Sequence, residues 1–63
     1  MRMLRLPAIV EKTGLSRWTI NRKEEAGDFP KRVRLGPNSV AWLEDEVDAW
    51  LGERIAERDG AAA

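Results

Sequence analysis

The chain has 63 residues, of which 35% are charged, a formal net charge of zero, and neither cysteine nor histidine. This length allows one small domain that buries only about 60% of the surface of its unfolded chain, with no room for a separate catalytic domain. The missing residue types exclude disulfides, thiolate zinc sites, cysteine nucleophiles and histidine general bases.

The neutral total conceals two oppositely charged halves. Residues 1–40 contain nine basic and four acidic side chains, a net charge of +5, whereas residues 41–63 contain two basic and seven acidic ones, a net charge of −5. Such an asymmetry indicates a polyanionic partner, although charges in so short a chain also cluster by chance. The N-terminal segment is too polar for a signal peptide, and no apolar run approaches the roughly 18 residues of a membrane span. We therefore expect a cytoplasmic protein without a membrane partner.

Two short helices are predicted in the first half of the chain. The first opens at Pro7, whose fixed φ suits a first helical turn, and Gly14 ends it. Ser16 is a good N-cap for a second helix, which we expect over residues 16–26 with Gly27 as its stop. A helix–turn–helix needs apolar residues in both helices, a glycine in the turn and an apolar residue after it. Four residues fill these packing positions: Ile9, Gly14, Leu15 and Ile20.

With Ile20 turned inward, the opposite side of the second helix faces outward. Arginine and asparagine bond two groups on guanine or adenine edges, whereas hydroxyls and N–H groups at a helix start reach phosphates. An exposed arginine on a helix is more often a solvated charge, and Trp18 either packs in another register or contacts a partner. The candidate DNA contacts on this helix are Ser16, Arg17, Trp18, Thr19, Asn21 and Arg22.

Residues 31–42 predict a β-hairpin, because period-two apolar residues flank the turn sequence GPNS. One hairpin face is expected to carry Val33, Leu35, Val40 and Trp42 toward the core. The other face shows Arg32 and Arg34 to solvent. Alone, this would be a hairpin with a solvated basic face, but next to a helix–turn–helix it predicts a second DNA-binding surface. The candidate DNA contacts on the hairpin are Lys31, Arg32, Arg34, Asn38 and Ser39.

The last predicted element is an amphipathic helix over residues 43–58. Its apolar positions recur at spacings of three and four: Leu43, Val47, Trp50, Leu51 and Ile55. Acidic residues in the first turn, with Arg54 and Arg58 near the end, match the helix dipole. We expect this helix to close the core with Trp42 and Trp50. Residues 1–59 would then form the domain and residues 60–63 a flexible tail.

Three segments of the chain resemble the AlpA-like regulators of phages and prophages, relatives of the excisionases and of the DNA-binding domain of MerR-type proteins. They are LRLPAIVEKTGLSRWTI at 4–20, AGDFPKRVRLGPNSVAW at 26–42 and LEDEVDAWLGERIAER at 43–58. The resemblance implies a mainly α fold with a small β-hairpin, a winged helix–turn–helix in the order helix, helix, hairpin, helix. It also implies that residues 16–26 form the recognition helix and residues 31–42 the wing. The chain departs from the family at two positions. Members of the family often have a small residue in place of Trp18 and an aromatic residue, commonly Tyr, in place of Asn21.

Two classes of function remain open. The resemblance implies a sequence-specific protein that binds double-stranded DNA and either regulates phage or prophage transcription, directs excision by a phage-type integrase, or does both. One such module buries only about 600–1,000 Å² against DNA, so self-association on repeated sites is expected. The alternative is a protein-interaction module, antitoxin-like or a recombinase accessory, that acts through its acidic C-terminal helix. Without histidine, a Gly-rich phosphate loop or a metal-ligand cluster, an enzyme is disfavoured, and neither a cofactor nor a small-molecule substrate is expected.

Overall fold

The computed structural model describes residues 1–62, which form three helices and a three-stranded antiparallel sheet. The elements are β1 (Met3–Leu4), α1 (Leu6–Thr13), α2 (Arg17–Glu25), β2 (Val33–Gly36), β3 (Ser39–Leu43) and α3 (Glu44–Ala62). The strand order is β1-β3-β2, so β3 lies in the middle. The predicted fold class and element order are confirmed. Only β1 was not predicted, because two residues show no alternation and their partners, Leu43 and Trp42, lie beyond the hairpin turn.

Local hydrogen bonds explain where the two short helices end and begin. Gly14 has a left-handed φ of 74°, and its N–H donates to the Val10 carbonyl at 2.8 Å. The Ser16 hydroxyl accepts from the Thr19 N–H at 3.2 Å and so caps α2, as predicted. Gly27, at φ 79°, follows the C-cap of α2. This glycine is the left-handed residue of a Schellman motif, which reverses the chain after α2.

The core lies where α1, α2, α3 and the sheet meet. Ile9, Ile20, Trp42 and Val47 are fully buried, which confirms the packing role predicted for the two isoleucines. Phe29 is also buried, although the sequence indicated only a chain break there. Its ring packs edge-on against that of Trp50, with centroids 4.9 Å apart and an interplanar angle of 66°. Leu4 also belongs to the core, and Leu15 packs against it.

The hairpin faces differ from the prediction. The two-residue turn pairs Gly36 with Ser39, but a register shift between Arg34 and Gly36 then pairs Arg34 with Val40. Because Leu35 is the extra residue, every earlier side chain of β2 changes face relative to β3. Val33 and Leu35 are therefore 39% and 53% exposed and do not join Trp42 in the core, and Val40 is only half-buried. Arg34 instead shares the face of Val40.

The third helix follows β3 without an intervening loop. The Glu44 N–H donates to the Arg2 carbonyl at 2.8 Å, which ties this junction to the chain next to β1. The predicted helix boundary near residue 58 is wrong, because α3 continues to Ala62. Residues 60–62 of the predicted tail are therefore helical, and Ala63 lies outside the described residues.

The longer helix changes the expected role of its arginines and of its last apolar residue. Arg54 and Arg58 do not lie in the last turn, so they do not cap the helix dipole as predicted. Ile55, expected on the buried face, is 52% exposed because this part of α3 projects past the core. The molecule accordingly measures 46 × 25 × 19 Å along its principal axes. Within residues 1–62, none of the helices combines the length and apolar character that a membrane crossing requires.

Candidate nucleic-acid interface

The outward face of α2 presents an exposed aromatic ring among polar side chains. Trp18 is 78% exposed, so it does not pack into the core. Residues three or four apart lie on one side of a helix, and Trp18 therefore neighbours Asn21 and Arg22. These three side chains and Glu25 line a shallow open groove. Arg17, one turn before Asn21, is also exposed.

The start of α2 is held by its own hydroxyl groups. The Ser16 and Thr19 hydroxyl oxygens lie 3.0 Å apart, within hydrogen-bonding distance, in addition to the capping bond from the Thr19 N–H. Ser16 is exposed and Thr19 is half-buried. These groups thus stabilise the helix start, and their predicted contact with phosphates remains a prediction.

The hairpin supplies a second polar surface. Lys31 and Arg34 are exposed, and the Arg34 Nε donates to the Gly36 carbonyl at 3.3 Å. Asn38 is exposed in the turn, whereas Ser39 is half-buried at the start of β3. The tip therefore offers Asn38 more readily than Ser39 to a ligand.

Arg32 connects the hairpin with α2. Its Nε donates to Glu24 Oε1 at 2.8 Å, and its backbone N–H donates to Glu24 Oε2 at 2.7 Å. Its Nη2 donates to Asn21 Oδ1. Its guanidinium carbon also lies 4.9 Å from the centre of the Trp42 ring. The Arg32 side chain is therefore bonded within the protein, whereas we expected it to be free in solvent, and its pairing with Glu24 was not predicted.

The basic residues divide into paired and unpaired groups. In the part of the chain that the structure describes, ion pairs involve Lys12, Lys23, Arg32, Arg54 and Arg58. Four exposed cations on or beside α2 and the hairpin have no ion-pair partner among residues 1–62: Arg17, Arg22, Lys31 and Arg34. We call these four, together with Trp18, the basic surface.

The acidic helix α3 is joined to α1 by a lysine. The Lys12 Nζ lies 2.8 Å from Asp48 Oδ1 and 3.6 Å from Glu44 Oε2. The hydrogen bond to Asp48, aided by the charges of Asp48 and Glu44, raises the pKa of Lys12 above its ordinary value of 10.5, while partial desolvation opposes the rise. Lys12 of α1 thus neutralises part of the negative charge of α3.

Comparison with known proteins places the chain among phage regulators. Residues 2–55 match the family model described as prophage CP4-57 regulatory protein (AlpA). The chain is 48% identical over 60 residues to the DNA-binding transcriptional activator AlpA of Escherichia coli (strain K12), covering 86% of each protein. It is 49% identical over 57 residues to the uncharacterized protein ORF88 of Enterobacteria phage P4, covering 90% of this chain and 65% of that protein. The matched range contains both short helices, the hairpin and the greater part of α3.

Proposed function

The chain belongs to the AlpA family of prophage regulatory proteins, and on that premise we propose that it is a DNA-binding transcription regulator. The family is one of regulators and not of enzymes. In this proposal α2 enters the major groove and the hairpin lies along the sugar–phosphate backbone, the usual arrangement of a helix–turn–helix with an added strand pair.

The observation that supports this proposal most is the basic surface. A cation that forms no ion pair within the protein is available to neutralise phosphates, and such neutralisation dominates the affinity of proteins for DNA. Arg34 and Lys31 would contact phosphates from the hairpin. Arg17 and Arg22 would reach base edges from α2, and Trp18 would pack on sugars or a thymine methyl group. Polar groups near these residues, Ser16, Thr19, Asn38 and Ser39, would add hydrogen bonds to the backbone.

The first test compares two exposed arginines on opposite parts of the molecule. Arg34→Ala should weaken binding to every duplex sequence alike and lower the slope of log affinity against log salt by about 1, because one phosphate contact is lost. Arg58→Ala is the matched control, since Arg58 lies on α3 and pairs with Asp59. Fluorescence-anisotropy titrations at about 50 to 200 mM salt measure both effects. Equal losses for the two variants, or no duplex binding by the unaltered protein, would contradict the proposal.

Base recognition is tested separately on α2. Arg17→Ala or Arg22→Ala should relax the preference at one base pair, at a cost of about 1–3 kcal/mol for a bidentate contact. Binding-site selection from a random duplex pool, followed by titration of single-base variants, measures this. Unchanged preferences in both variants would place the sequence-reading residues elsewhere.

We further propose self-association on repeated DNA sites and a role in excision beside a phage-type integrase. The small size of one module supports the first point, because a single copy buries too little DNA surface for tight specific binding. Footprinting on the DNA that surrounds its own gene tests both points. Protected repeats at a promoter alone would favour transcription control, whereas protection at a recombination site would favour excision.

A further inference from the structure

Arg32 lies between α2 and the hairpin and is bonded to both. The two oxygens of Glu24 accept from its Nε and from its backbone N–H, and the Trp42 ring faces its guanidinium. The Glu24 side chain is 14% exposed, the least of any carboxylate in the ion pairs that the described residues form, whereas the Arg32 side chain is 35% exposed. These contacts fix the guanidinium and direct its Nη2 toward Asn21.

The partner of Nη2 must be the oxygen of the Asn21 amide. A guanidinium has five N–H donors and no acceptor, so an asparagine beside it turns its oxygen to it. The oxygen Oδ1 accepts from Arg32, and Nδ2, which carries two donors, is held on the other side of the amide. Asn21 is half-buried and lines the open groove with Trp18 and Arg22, so a ligand in that groove meets this residue.

We propose that Arg32 is a positioning residue that makes Asn21 a hydrogen-bond donor toward DNA, so that α2 selects guanine over adenine at the base that Asn21 reaches. This proposal rests on the proposed DNA-binding function. An asparagine that reads adenine uses both ends of its amide, the oxygen accepting from N6 and the nitrogen donating to N7. Here the oxygen is already bonded to a cation, which disfavours a second donor beside it. The major-groove edge of guanine presents two acceptors, N7 and O6, and matches a donor.

The main test is the conservative variant Arg32→Lys. It keeps the positive charge but replaces the rigid fork of donors by one ammonium, which cannot hold Glu24 and Asn21 in the same geometry. Site selection from a random duplex pool gives the preferred sequence of the unaltered protein, and Asn21→Ala identifies the base pair that Asn21 reads. At that base pair we expect a guanine-over-adenine preference of about tenfold, which Arg32→Lys lowers to about twofold or less. Preferences at the other base pairs should stay unchanged.

A second variant keeps the proposal testable if Arg32→Lys disturbs folding. Asn21→Asp has the same shape, keeps an acceptor for Arg32 and removes both amide donors. We expect it to lose the guanine preference at the same base pair while its thermal unfolding, followed by circular dichroism, matches that of the unaltered protein. The added negative charge lowers affinity for all DNA, so the ratio of specific to unrelated DNA is the quantity compared.

The outcomes separate this proposal from the one on which it rests. If the unaltered protein selects no sequence, the proposed function fails. If it selects a sequence and Arg32→Lys and Asn21→Asp, both folded, retain the same preference at every base pair, only the role of Arg32 and Asn21 is overturned. An adenine preference at the Asn21 base pair in the unaltered protein would overturn it as well.

Discussion

Two arginines with the same sequence context differ in whether they form an ion pair within the protein. Arg32 and Arg34 are two residues apart in a basic hairpin, and the sequence predicted both to face solvent. Arg34 does, whereas Arg32 is bonded to Glu24 and Asn21. Periodicity predicts which side of an element a residue occupies, but Glu24 meets Arg32 only because the chain reverses at Gly27. The sequence therefore predicted that the candidate interface is basic. It did not predict which of its cations are paired within the protein and which are free to contact a ligand.

Replacing Trp18 tests whether this exposed side chain contributes to DNA binding and not to stability. Trp18→Ala should change the free energy of unfolding by less than about 0.5 kcal/mol, because the side chain lies outside the core. If about half of the ring is buried against DNA, the same change should weaken binding roughly tenfold. Thermal unfolding and anisotropy titration measure the two effects. Ile55→Ala, another exposed apolar residue but on α3, is the control and should affect neither.

Lys12 gives a pH-dependent test of the contact between α1 and α3. Since the pKa of Lys12 is raised in the folded protein, its ion pair with Asp48 stabilises the fold fully below the ordinary pKa of 10.5. That contribution is lost as the pH rises through the raised folded value. Lys12→Met should therefore lower Tm at pH near 7, and its difference from the unaltered protein should shrink above the ordinary pKa. Lys31→Met, which removes an exposed lysine, should leave Tm nearly unchanged at both pH values, and a constant Lys12→Met difference would contradict this account.

At the scale of the elements, the sequence predicted helices better than strands. Caps and glycine stops placed α1 and α2 within one residue of their observed bounds. The hairpin was placed well, but its faces were exchanged, because one extra residue at Leu35 reverses the alternation and leaves no periodic trace. The end of α3 was misplaced because residues 60–63 were interpreted as a flexible tail, whereas the helix continues to Ala62.

Two glycines should respond in opposite ways to the same substitution. Gly14→Ala forces alanine into the left-handed region at φ 74° and should cost about 1 kcal/mol, although the space around its Cβ is open. Gly52→Ala lies within α3, also in open space, and should stabilise the protein by about 0.5–1 kcal/mol. Chemical unfolding followed by circular dichroism measures both changes. Destabilisation by both would show that something other than backbone conformation decides the effect.

At the scale of the whole molecule, the charge asymmetry between the two halves of the chain becomes a charge difference between structural elements. Among the cations without an ion-pair partner in residues 1–62, Arg17 and Arg22 lie on α2, Lys31 and Arg34 on or beside the hairpin, and Arg2 and Arg5 near β1, whereas α3 carries most of the acids. The sequence predicted this separation because each half of the chain supplies different elements. It did not predict how far α3 projects, since the residues after position 59 were interpreted as a tail.

Two truncations test which part of α3 supports the fold. A chain ending at Glu57 should keep its free energy of unfolding within about 0.5 kcal/mol, because residues 58–60 are exposed. A chain ending at Gly52 also loses Arg54, which pairs with Asp28 at 3.3 Å and lies 5.2 Å from the Trp50 ring centre. This shorter chain should be less stable by about 1 kcal/mol or more. Urea unfolding measures both, and equal stability of the two truncated chains would show that Arg54 does not support the core.

The direct passage from β3 into α3 leaves no loop between the hairpin, which we propose faces DNA, and the acidic helix. With the Glu44 N–H also held by the Arg2 carbonyl, the helix must turn with the hairpin as one rigid spacer. Its 19 residues extend roughly 28 Å. A protein bound to the far end of the helix would therefore lie at a fixed distance and in a fixed direction from the duplex. Shifting the bound site by about five base pairs, half a turn of DNA, would swing that spacer to the opposite side of the double helix.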